Sequence, residues 1–351
     1  MADVINKSAA YGTTPAHGSI GYRTAGHISR KFLSNGRNRL ILDRFGQVEP
    51  IPKNKSTTIV FRRWQPLALA TTPLSEGVTS DAIGAKYEDI KTTIKQYGSV
   101  MKLTDVVQDT YEDPVLNQFT RLSSEQAAAT LETLHFNALM GGTNVFYAGG
   151  VESRTAVKAK VSLNDFRKVA RNFQKNKASF ITEIVKATPN IATEPVGQSF
   201  IAICHTDLEQ DIRAIPGFIP VEQYGSSVKA MQYELGKIEN FRILTSQFFN
   251  PWLKAGANVT NADKVLTNGG TGTSTAAAAD VYPILCLARD AYAITPLAGK
   301  HAVHISVFNP TPTKEDPQGQ RGALAWKVWD AICILNEAWM ARIECACGDL
   351  T

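Results

Sequence analysis

The stretch Asp316–Ala346, DPQGQRGALAWKVWDAICILNEAWMARIECA, decides the fold. Its tryptophans, Trp326, Trp329 and Trp339, stand among β-branched and small residues, and the polar pair Asn336-Glu337 interrupts the run. This pattern is typical of two long strands that meet at a turn, each with one face against a core. The stretch holds no nucleophile beside a base and no set of metal ligands. It therefore favours a surface for packing over a pocket for chemistry.

Length and composition place the chain among folded, non-membrane proteins. With 351 residues, 44% hydrophobic and 20% charged, it can form one large domain or two to three smaller ones. No apolar run reaches the length of a membrane span, and the N-terminus lacks the pattern of a secretory signal. The odd number of scattered cysteines predicts reduced thiols in a cytosolic setting: Cys204, Cys286, Cys333, Cys345 and Cys347.

Positive charge is concentrated at the N-terminus. Residues 1–63 contain eleven Lys or Arg and three acidic residues, a net charge of +8, whereas the whole chain carries +5 and the remainder therefore −3. A basic arm before a near-neutral body predicts contact with a polyanion or with acidic patches of a neighbour; a solvated basic tail is the alternative. Aromatic residues lie among these charges, but no groove-reading motif is present, so any nucleic-acid binding would be non-specific and directed at the backbone.

The first third of the chain predicts an arm, a helix and extended segments. Residues 1–27 read as an extended arm, and His27–Phe45 as an amphipathic helix that ends at Gly46. A strand is expected over Thr57–Phe61 and on through Trp64. The segment 85–107 predicts a long β-hairpin that turns near residues 96–98 and has little core of its own. Such a hairpin usually lies on another surface.

Two helices carry clear boundary signals. Asp113-Pro114 predicts a helix start, and the apolar pattern continues to Gly141-Gly142, a length of roughly 40 Å. A phosphate-binding loop at these glycines is disfavoured because they follow a helix and no Gly-Lys-Ser/Thr is present. Ser162-x-x-Asp165 predicts a capping box for a second helix. Its expected apolar stripe is Phe166, Val169, Ala170 and Phe173.

Short strands alternate with helical pieces in the second half. Gly, Thr and Ser residues between positions 268 and 275 predict a flexible surface loop. The resulting class is α+β. The expected strands are Phe200–Cys204, Phe241–Thr245, Val281–Leu287 and Ala302–Phe308, with a short helix at Leu208–Ile215.

No group of residues supports catalysis or a cofactor. Cys204 and His205 are neighbours on an expected strand and so point to opposite faces, which prevents them from forming a catalytic pair. Cys345-x-Cys347 and the pair His301/His304 have only partial metal-ligand spacing. We therefore expect no catalytic residues, no cofactor and no metal.

Ordered blocks over residues 50–346 resemble the major capsid proteins of tailed bacteriophages, in particular the subfamily typified by the coliphage N-four coat protein, which has the Hong Kong 97-type capsid fold. One block alone would be weak, but the ordered set is specific. The blocks are Phe61–Trp64, Thr72–Thr79, Lys95–Gly98, Asp105–Val107, Asp113–Leu116, Gly141–Ala148, Glu234–Ile238, Phe241–Leu244 and Asp316–Glu344.

The resemblance implies a domain plan that agrees with the order of elements above. It comprises a basic N-terminal arm, an extended E-loop hairpin, a peripheral P-domain with a long spine helix, and an axial A-domain. By analogy, residues 83–108 belong to the E-loop and 113–140 to the spine helix. The expected divisions are 1–55 for the arm, 56–111 for the E-loop and flanking strands, 112–160 for the spine helix, 161–300 for the main part of the A-domain, and 301–351 for the returning C-terminal strands.

The resemblance also implies self-assembly. Such subunits form hexamers and pentamers that close into an icosahedral shell around double-stranded DNA, in a virion assembled in the bacterial cytoplasm. Scaffolding, portal and, in some cases, decoration proteins are expected partners, and a membrane is not. Charge and position nominate two sets of contact residues. Arg62, Arg63, Trp64 and Tyr97 are candidates for contacts between subunits, and Arg23, Arg30, Lys31, Arg37 and Arg39 for DNA or neighbour contacts.

The sequence also bears on cross-linking, on scaffolding and on the alternative functions. No motif for the Lys–Asn cross-link of some relatives is found. The body begins within roughly fifty residues of Met1, so a separate scaffolding protein is expected in place of a long N-terminal scaffolding region.

An encapsulin-like compartment shell, which holds cargo enzymes, shares the fold and is the first alternative, though the basic arm favours DNA. A soluble α+β enzyme is the alternative from another class.

Overall fold

The computed structural model describes residues 7–8, 19–20, 40–65, 67–71, 73, 76, 82–106, 115–185, 193–225, 230–260, 263–267, 277–298, 304–312, 314 and 316–350. Its α-helices are α1 (Val115–Leu139), α2 (Leu163–Lys175) and α3 (Glu209–Arg213). Its strands are β1 (Lys7–Ser8), β2 (Ser19–Ile20), β3 (Gln47–Val48), β4 (Thr58–Trp64), β5 (Tyr87–Thr93), β6 (Lys95–Thr104), β7 (Val145–Tyr147), β8 (Ile181–Val185), β9 (Thr193–His205), β10 (Phe218–Pro220), β11 (Glu234–Ile238), β12 (Phe241–Ser246), β13 (Asn258–Val259), β14 (Ala277–Ala278), β15 (Val281–Leu287), β16 (Tyr292–Ile294), β17 (His304–Phe308), β18 (Arg321–Asp330), β19 (Ile332–Ile334) and β20 (Met340–Ala346). The α+β class expected from the sequence is confirmed.

The largest unit is a mixed eight-stranded sheet. Its order is β10-β11-β12-β9-β15-β20-β7, with β8 paired to β9. The pairs β12–β9 and β20–β7 are parallel, and the other neighbours on the path are antiparallel. The strands expected at Phe200–Cys204, Phe241–Thr245 and Val281–Leu287 are confirmed at its centre. Every residue of β15 and β20 is buried, which is the pattern of strands covered on both faces.

Alternate side chains of this sheet build two separate cores. On β9, Phe200 and Cys204 belong to a core on the α2 side, whereas Ile201 and Ile203 belong to a core on the opposite face. The first core also contains the α2 stripe Phe166, Val169 and Phe173. The second contains the C-terminal end of α1 and residues 41–45.

The capping box predicted for α2 is present. The backbone N–H of Ser162 donates to Asp165 Oδ2 at 3.1 Å, and its hydroxyl donates to the same oxygen at 2.7 Å. These bonds satisfy groups that a helix N-terminus leaves unpaired, and they fix where α2 begins.

Helix α1 connects the large sheet with a second, three-stranded sheet in the order β17-β18-β6. Its 25 residues span about 38 Å. Ala127 and Leu131, near its middle, pack against Trp326 and Val328 of β18. Its predicted end is confirmed: the helix stops at Leu139, and a side chain at Gly142 would collide with Met340.

The hairpin predicted within residues 85–107 is wrong in its pairing. Strand β5 pairs with β4, as in Phe61 opposite Ile90. Strand β6 pairs with β18 instead, along its full length from Lys95 to Thr104. The two strands are separated by the buried Ile94, and no turn is present at residues 96–98. We therefore define the exposed hairpin as β4, β5 and the described residues that connect them, namely 65, 67–71, 73, 76 and 82–86.

The C-terminal pair of strands differs from the expected one. Strand β18 alternates between buried and less buried residues, as predicted, but β20 is buried on both faces. The two strands belong to different sheets, because β18 pairs with β6 and β20 with β15. Trp326 is buried in the small sheet, and the Trp339 indole N–H donates to the Asn176 carbonyl at 3.1 Å.

The helix predicted over His27–Phe45 is wrong in its described part, which begins at residue 40. Only Leu42–Arg44 forms a helical turn, of the 3-10 type. The backbone N–H groups of Ile41 and Leu42 donate to the buried Glu132 carboxylate, so they are not available for α-helical bonds. The predicted loop over 268–275 lies outside the described residues. In the described part of the chain, no helix has the length and apolar character to cross a bilayer.

Candidate interaction surface

The exposed hairpin has no core of its own. None of the residues in β4 and β5 is buried. Every described residue of the connecting segment is exposed, and three of them are large and apolar, Leu67, Leu69 and Ile83. Leu69 is 86% exposed. Apolar surface of this kind, concentrated on one element, indicates a docking surface for another chain.

One face of the hairpin carries a charged and aromatic cluster. Arg62 donates to both carboxylate oxygens of Asp89, at 2.8 and 3.0 Å. Its guanidinium lies 4.1 Å from the ring centroid of Tyr87, and that ring meets Trp64 edge to face at 5.3 Å. Hydrogen bonding to Arg62 lowers the pKa of Asp89, so the carboxylate stays charged. Trp64 is 59% exposed, which leaves most of its indole available to a partner.

The structure groups three of the four predicted contact residues. Arg62, Arg63 and Trp64 lie on the exposed hairpin, where Arg63 forms an ion pair with Glu88 at 2.6 Å. Tyr97 does not join them, because its ring packs with the small core between β18 and α1. The arm candidates Arg23, Arg30, Lys31, Arg37 and Arg39 lie outside the described residues.

A buried ion cluster joins the end of α1 to the large sheet. Glu344, fully buried, accepts two hydrogen bonds from Arg154 at 2.7 Å each and one from Arg342 Nε at 2.8 Å. Arg342 Nη1 also donates to the carbonyl of Met140, just beyond the helix. A cation at this position suits the negative end of the helix dipole. The indole of Trp252 covers Arg154 at 3.7 Å.

The cysteines and His205, which the sequence analysis weighed for catalysis or metal binding, make contacts that stabilise the fold. Burial raises the pKa of the Cys204 thiol, which donates to the Leu244 carbonyl at 3.6 Å. His205 accepts the backbone N–H of Asp207 at 3.1 Å. Cys345 is buried in the core beside the α2 face. Over the ranges that the structure describes, no three His, Cys, Asp or Glu side chains are arranged to hold a metal.

Sequence reasoning missed a second buried polar group. Glu132 and His135, on α1, are both buried and contact Asp43 or the backbone beside it. His135 also contacts Asp330 at the end of β18. A Glu-x-x-His spacing within an otherwise apolar helical run was the available signal, since charged residues on a buried face need partners.

Comparison with known proteins gives a consistent family. A family model described as "Phage capsid protein" matches residues 87–343. A curated relative, the major capsid protein of Pseudomonas phage KPP21, is 22% identical over 279 residues, which cover 75% of this chain and 68% of that protein.

Solved structures with the same fold are also phage capsids. The capsid of Ralstonia phage GP4 matches with a TM-score of 0.67 at 11% identity, and the match covers 97% of this chain and 99% of that one. The capsid of cyanophage P-SCSP1u matches with a TM-score of 0.58 at 13% identity, over 93% of each chain.

Proposed function

The chain belongs to the phage capsid protein family, and we propose from this premise that it assembles into the hexamers and pentamers of an icosahedral shell around double-stranded DNA. It is a major capsid protein of a phage, with the α+β fold of the Hong Kong 97-type capsids. Its function is structural, and its place is the virion capsid. The narrower resemblance to the N-four coat protein stays a prediction.

One observation carries the proposal: within its own subunit, the exposed hairpin buries none of its described residues. Two strands without a third strand or a packed face are marginal in water. Here both strands lack buried residues, and the connecting segment exposes Leu67, Leu69 and Ile83. Docking on an adjacent copy would bury these side chains. Each buried methylene contributes about 0.8 kcal/mol, and many such modest contacts around a closed shell add up cooperatively.

The remaining partners follow from charge and from the resemblance. The net charge of +8 over residues 1–63 supports non-specific contact with packaged DNA or with a neighbouring subunit. We propose scaffolding and portal proteins as further partners, and decoration proteins as an additional class. Assembly would take place in the host cytoplasm.

Electron microscopy of the purified full-length chain, alone and with the products of neighbouring genes, tests assembly. We expect closed shells or capsomer rings from the wild-type chain. The variant Leu67→Ser/Leu69→Ser/Ile83→Ser should fail to form them while its thermal unfolding changes little, because these side chains are exposed within the subunit.

A matched control removes equally exposed apolar side chains elsewhere. Leu253→Ser and Leu350→Ser should assemble normally, since neither residue lies on the exposed hairpin. A wild-type chain that stays monomeric under both conditions would contradict assembly. Normal shells from the triple variant would contradict the role of the hairpin alone.

The basic arm has a separate test. Replacing Arg23, Arg30, Lys31, Arg37 and Arg39 with Gln should weaken shell formation or DNA retention, because it removes five positive charges from the segment. Particle yield by sedimentation and nucleic-acid content by absorbance are the measurements. Unchanged yield and DNA content would count against the role of the arm. Wild-type shells that hold protein cargo and no DNA would favour the encapsulin-like alternative.

A further inference from the structure

Four ionisable side chains from three elements meet below the point where the N-terminal segment joins the folded body. We define the arm root as Ile41–Phe45. His135 of α1 lies between two carboxylates: its Nε2 is 2.5 Å from Asp330 Oδ2, and its Nδ1 is 3.1 Å from Asp43 Oδ1. Glu132, one turn earlier on α1, is fully buried. Asp43 belongs to the arm root and Asp330 to β18, so the cluster holds three elements together.

The contacts favour a charged imidazole. Nε2 lies within hydrogen-bond distance of Asp330, and Nδ1 makes an ion contact with Asp43 Oδ1 that lacks hydrogen-bond geometry. A neutral histidine can donate from only one ring nitrogen, whereas both nitrogens of His135 face carboxylate oxygens. The imidazolium is also the only cation in contact with Asp43 and Asp330 within the described cluster. Burial alone would lower the pKa of His135, but the hydrogen bonds and charges of Asp330 and Asp43 together raise it to about 10.

Glu132 holds the backbone of the arm root. Its Oε2 accepts the N–H groups of Ile41 at 3.1 Å and Leu42 at 3.4 Å. Its Oε1 has no hydrogen-bond partner among the described residues. Burial raises the pKa of Glu132 to about 7, and the charge of Asp43 adds to this effect, while the two N–H bonds and His135 oppose it. Near neutral pH this carboxyl therefore carries a proton part of the time.

Other groups surround the cluster from every packed element. The Tyr292 hydroxyl donates to the Leu42 carbonyl, and Arg44 turns away to donate to Gln232 at 2.7 Å. Lys91 and Lys95 line, together with His135 and Asp330, a cleft of about 420 Å³ at the base of the exposed hairpin. The cleft gives protons from solvent a short route to the buried ring.

We propose that Asp43, Glu132, His135 and Asp330 form a proton-operated latch, which holds the arm root on α1 and β18 and loosens when Glu132 and His135 lose their protons. This inference is independent of shell assembly. With every proton in place, one imidazolium faces two carboxylates and a neutral acid. Loss of both protons leaves three carboxylates without a cation, of which Glu132 and Asp330 are buried and Asp43 is partly exposed, an arrangement that the folded state disfavours.

Both protons act in the same direction. The pKa of Glu132 is about 7 in the folded protein against an ordinary 4.5, and that of His135 is about 10 against 6.5. The folded latch binds each proton more tightly than the opened one. The contribution of these two protons to stability is therefore full at about pH 4.5, and it is lost in two windows, from about pH 4.5 to 7 for Glu132 and from about pH 6.5 to 10 for His135.

Hydrogen exchange of the full-length protein between pH 5 and 9.5, corrected for intrinsic exchange rates, tests the latch. The readout is the protection of peptides covering Ile41 and Leu42, whose N–H groups Glu132 binds. We expect a loss of protection of at least about tenfold within each window, since one pKa unit already corresponds to a factor of ten and both shifts exceed one unit. Peptides from β15 serve as the internal control and should not change.

Two variants separate the effects of the protons on Glu132 and His135. Glu132→Gln keeps an oxygen acceptor for both N–H groups. In this variant, protection of the arm root should no longer fall with pH below about pH 6.5, but it should still fall above pH 7. In His135→Gln, protection of the arm root should be lower than in the wild type at every pH, and it should not fall further above pH 7. Protection of the arm root that does not change with pH in the wild-type protein would overturn the latch. A Glu132→Gln profile identical to wild type would overturn it as well, even if His135→Gln failed to fold.

Discussion

Replacing Glu344 with Gln is expected to lower the free energy of unfolding by about 3–5 kcal/mol, the cost of removing one partner from a buried ion pair. Glu344 is fully buried and holds both Arg154 and Arg342. An amide oxygen can accept hydrogen bonds but supplies no negative charge. Two guanidinium groups would then remain close together beneath Trp252 with no counter-charge.

Chemical denaturation of unassembled subunits, followed by tryptophan fluorescence, measures this effect. Glu239→Gln is the matched control, because Glu239 pairs with Arg167 on the surface at 2.6 Å and its loss should change little. The stability of the Glu344 variant should also depend little on salt, since buried charges are poorly screened. Equal midpoints for the two variants would contradict the assigned role of the buried cluster.

Phe200→Ala should destabilise the subunit by a similar amount, about 3–5 kcal/mol, because it opens a cavity at the centre of the aromatic core. The Phe200 ring stacks on Phe180 at 4.5 Å and meets Phe173 and Phe241 at 5.1 and 5.6 Å. This one side chain thus joins strands β9 and β12 to helix α2. Aromatic pairs of this kind contribute about 0.5–1.5 kcal/mol beyond the area they bury.

The same denaturation experiment applies, and Phe308→Ala provides the control. Phe308 is 62% exposed on β17, so its removal leaves no cavity. We expect a large shift of the denaturation midpoint for Phe200→Ala and almost none for Phe308→Ala. A small shift for Phe200→Ala would mean that the surrounding rings collapse into the space. The core would then be looser than its packing indicates.

Local signals in the sequence predicted local structure well. The Ser162 capping box, the long helix that stops before Gly141, and the central strands of the large sheet all carry periodicity or capping residues that act over a few positions. The family resemblance predicted the fold and the capsid function on ordered blocks, and both are confirmed. The roles of Arg62, Arg63 and Trp64 between subunits stay predictions.

Pairing between distant segments was not predictable in the same way. Strand β6 has a partner in β18, far along the chain, and nothing in residues 85–107 distinguishes this from pairing with β5. The helix predicted over His27–Phe45 was wrong for a related reason. Glu132 takes the N–H groups that such a helix would use, and a local pattern contains no information about a distant carboxylate.

The buried Ile94, the single residue between β5 and β6, gives the exposed hairpin the mechanics of a lever. The seven residues of each strand extend roughly 23 Å from Ile94. A rotation of about 10° at the base therefore moves the far end by roughly 4 Å. In the proposed shell, a displacement of this size would let one sequence contact neighbours inclined at different angles, while the subunit body keeps a single shape.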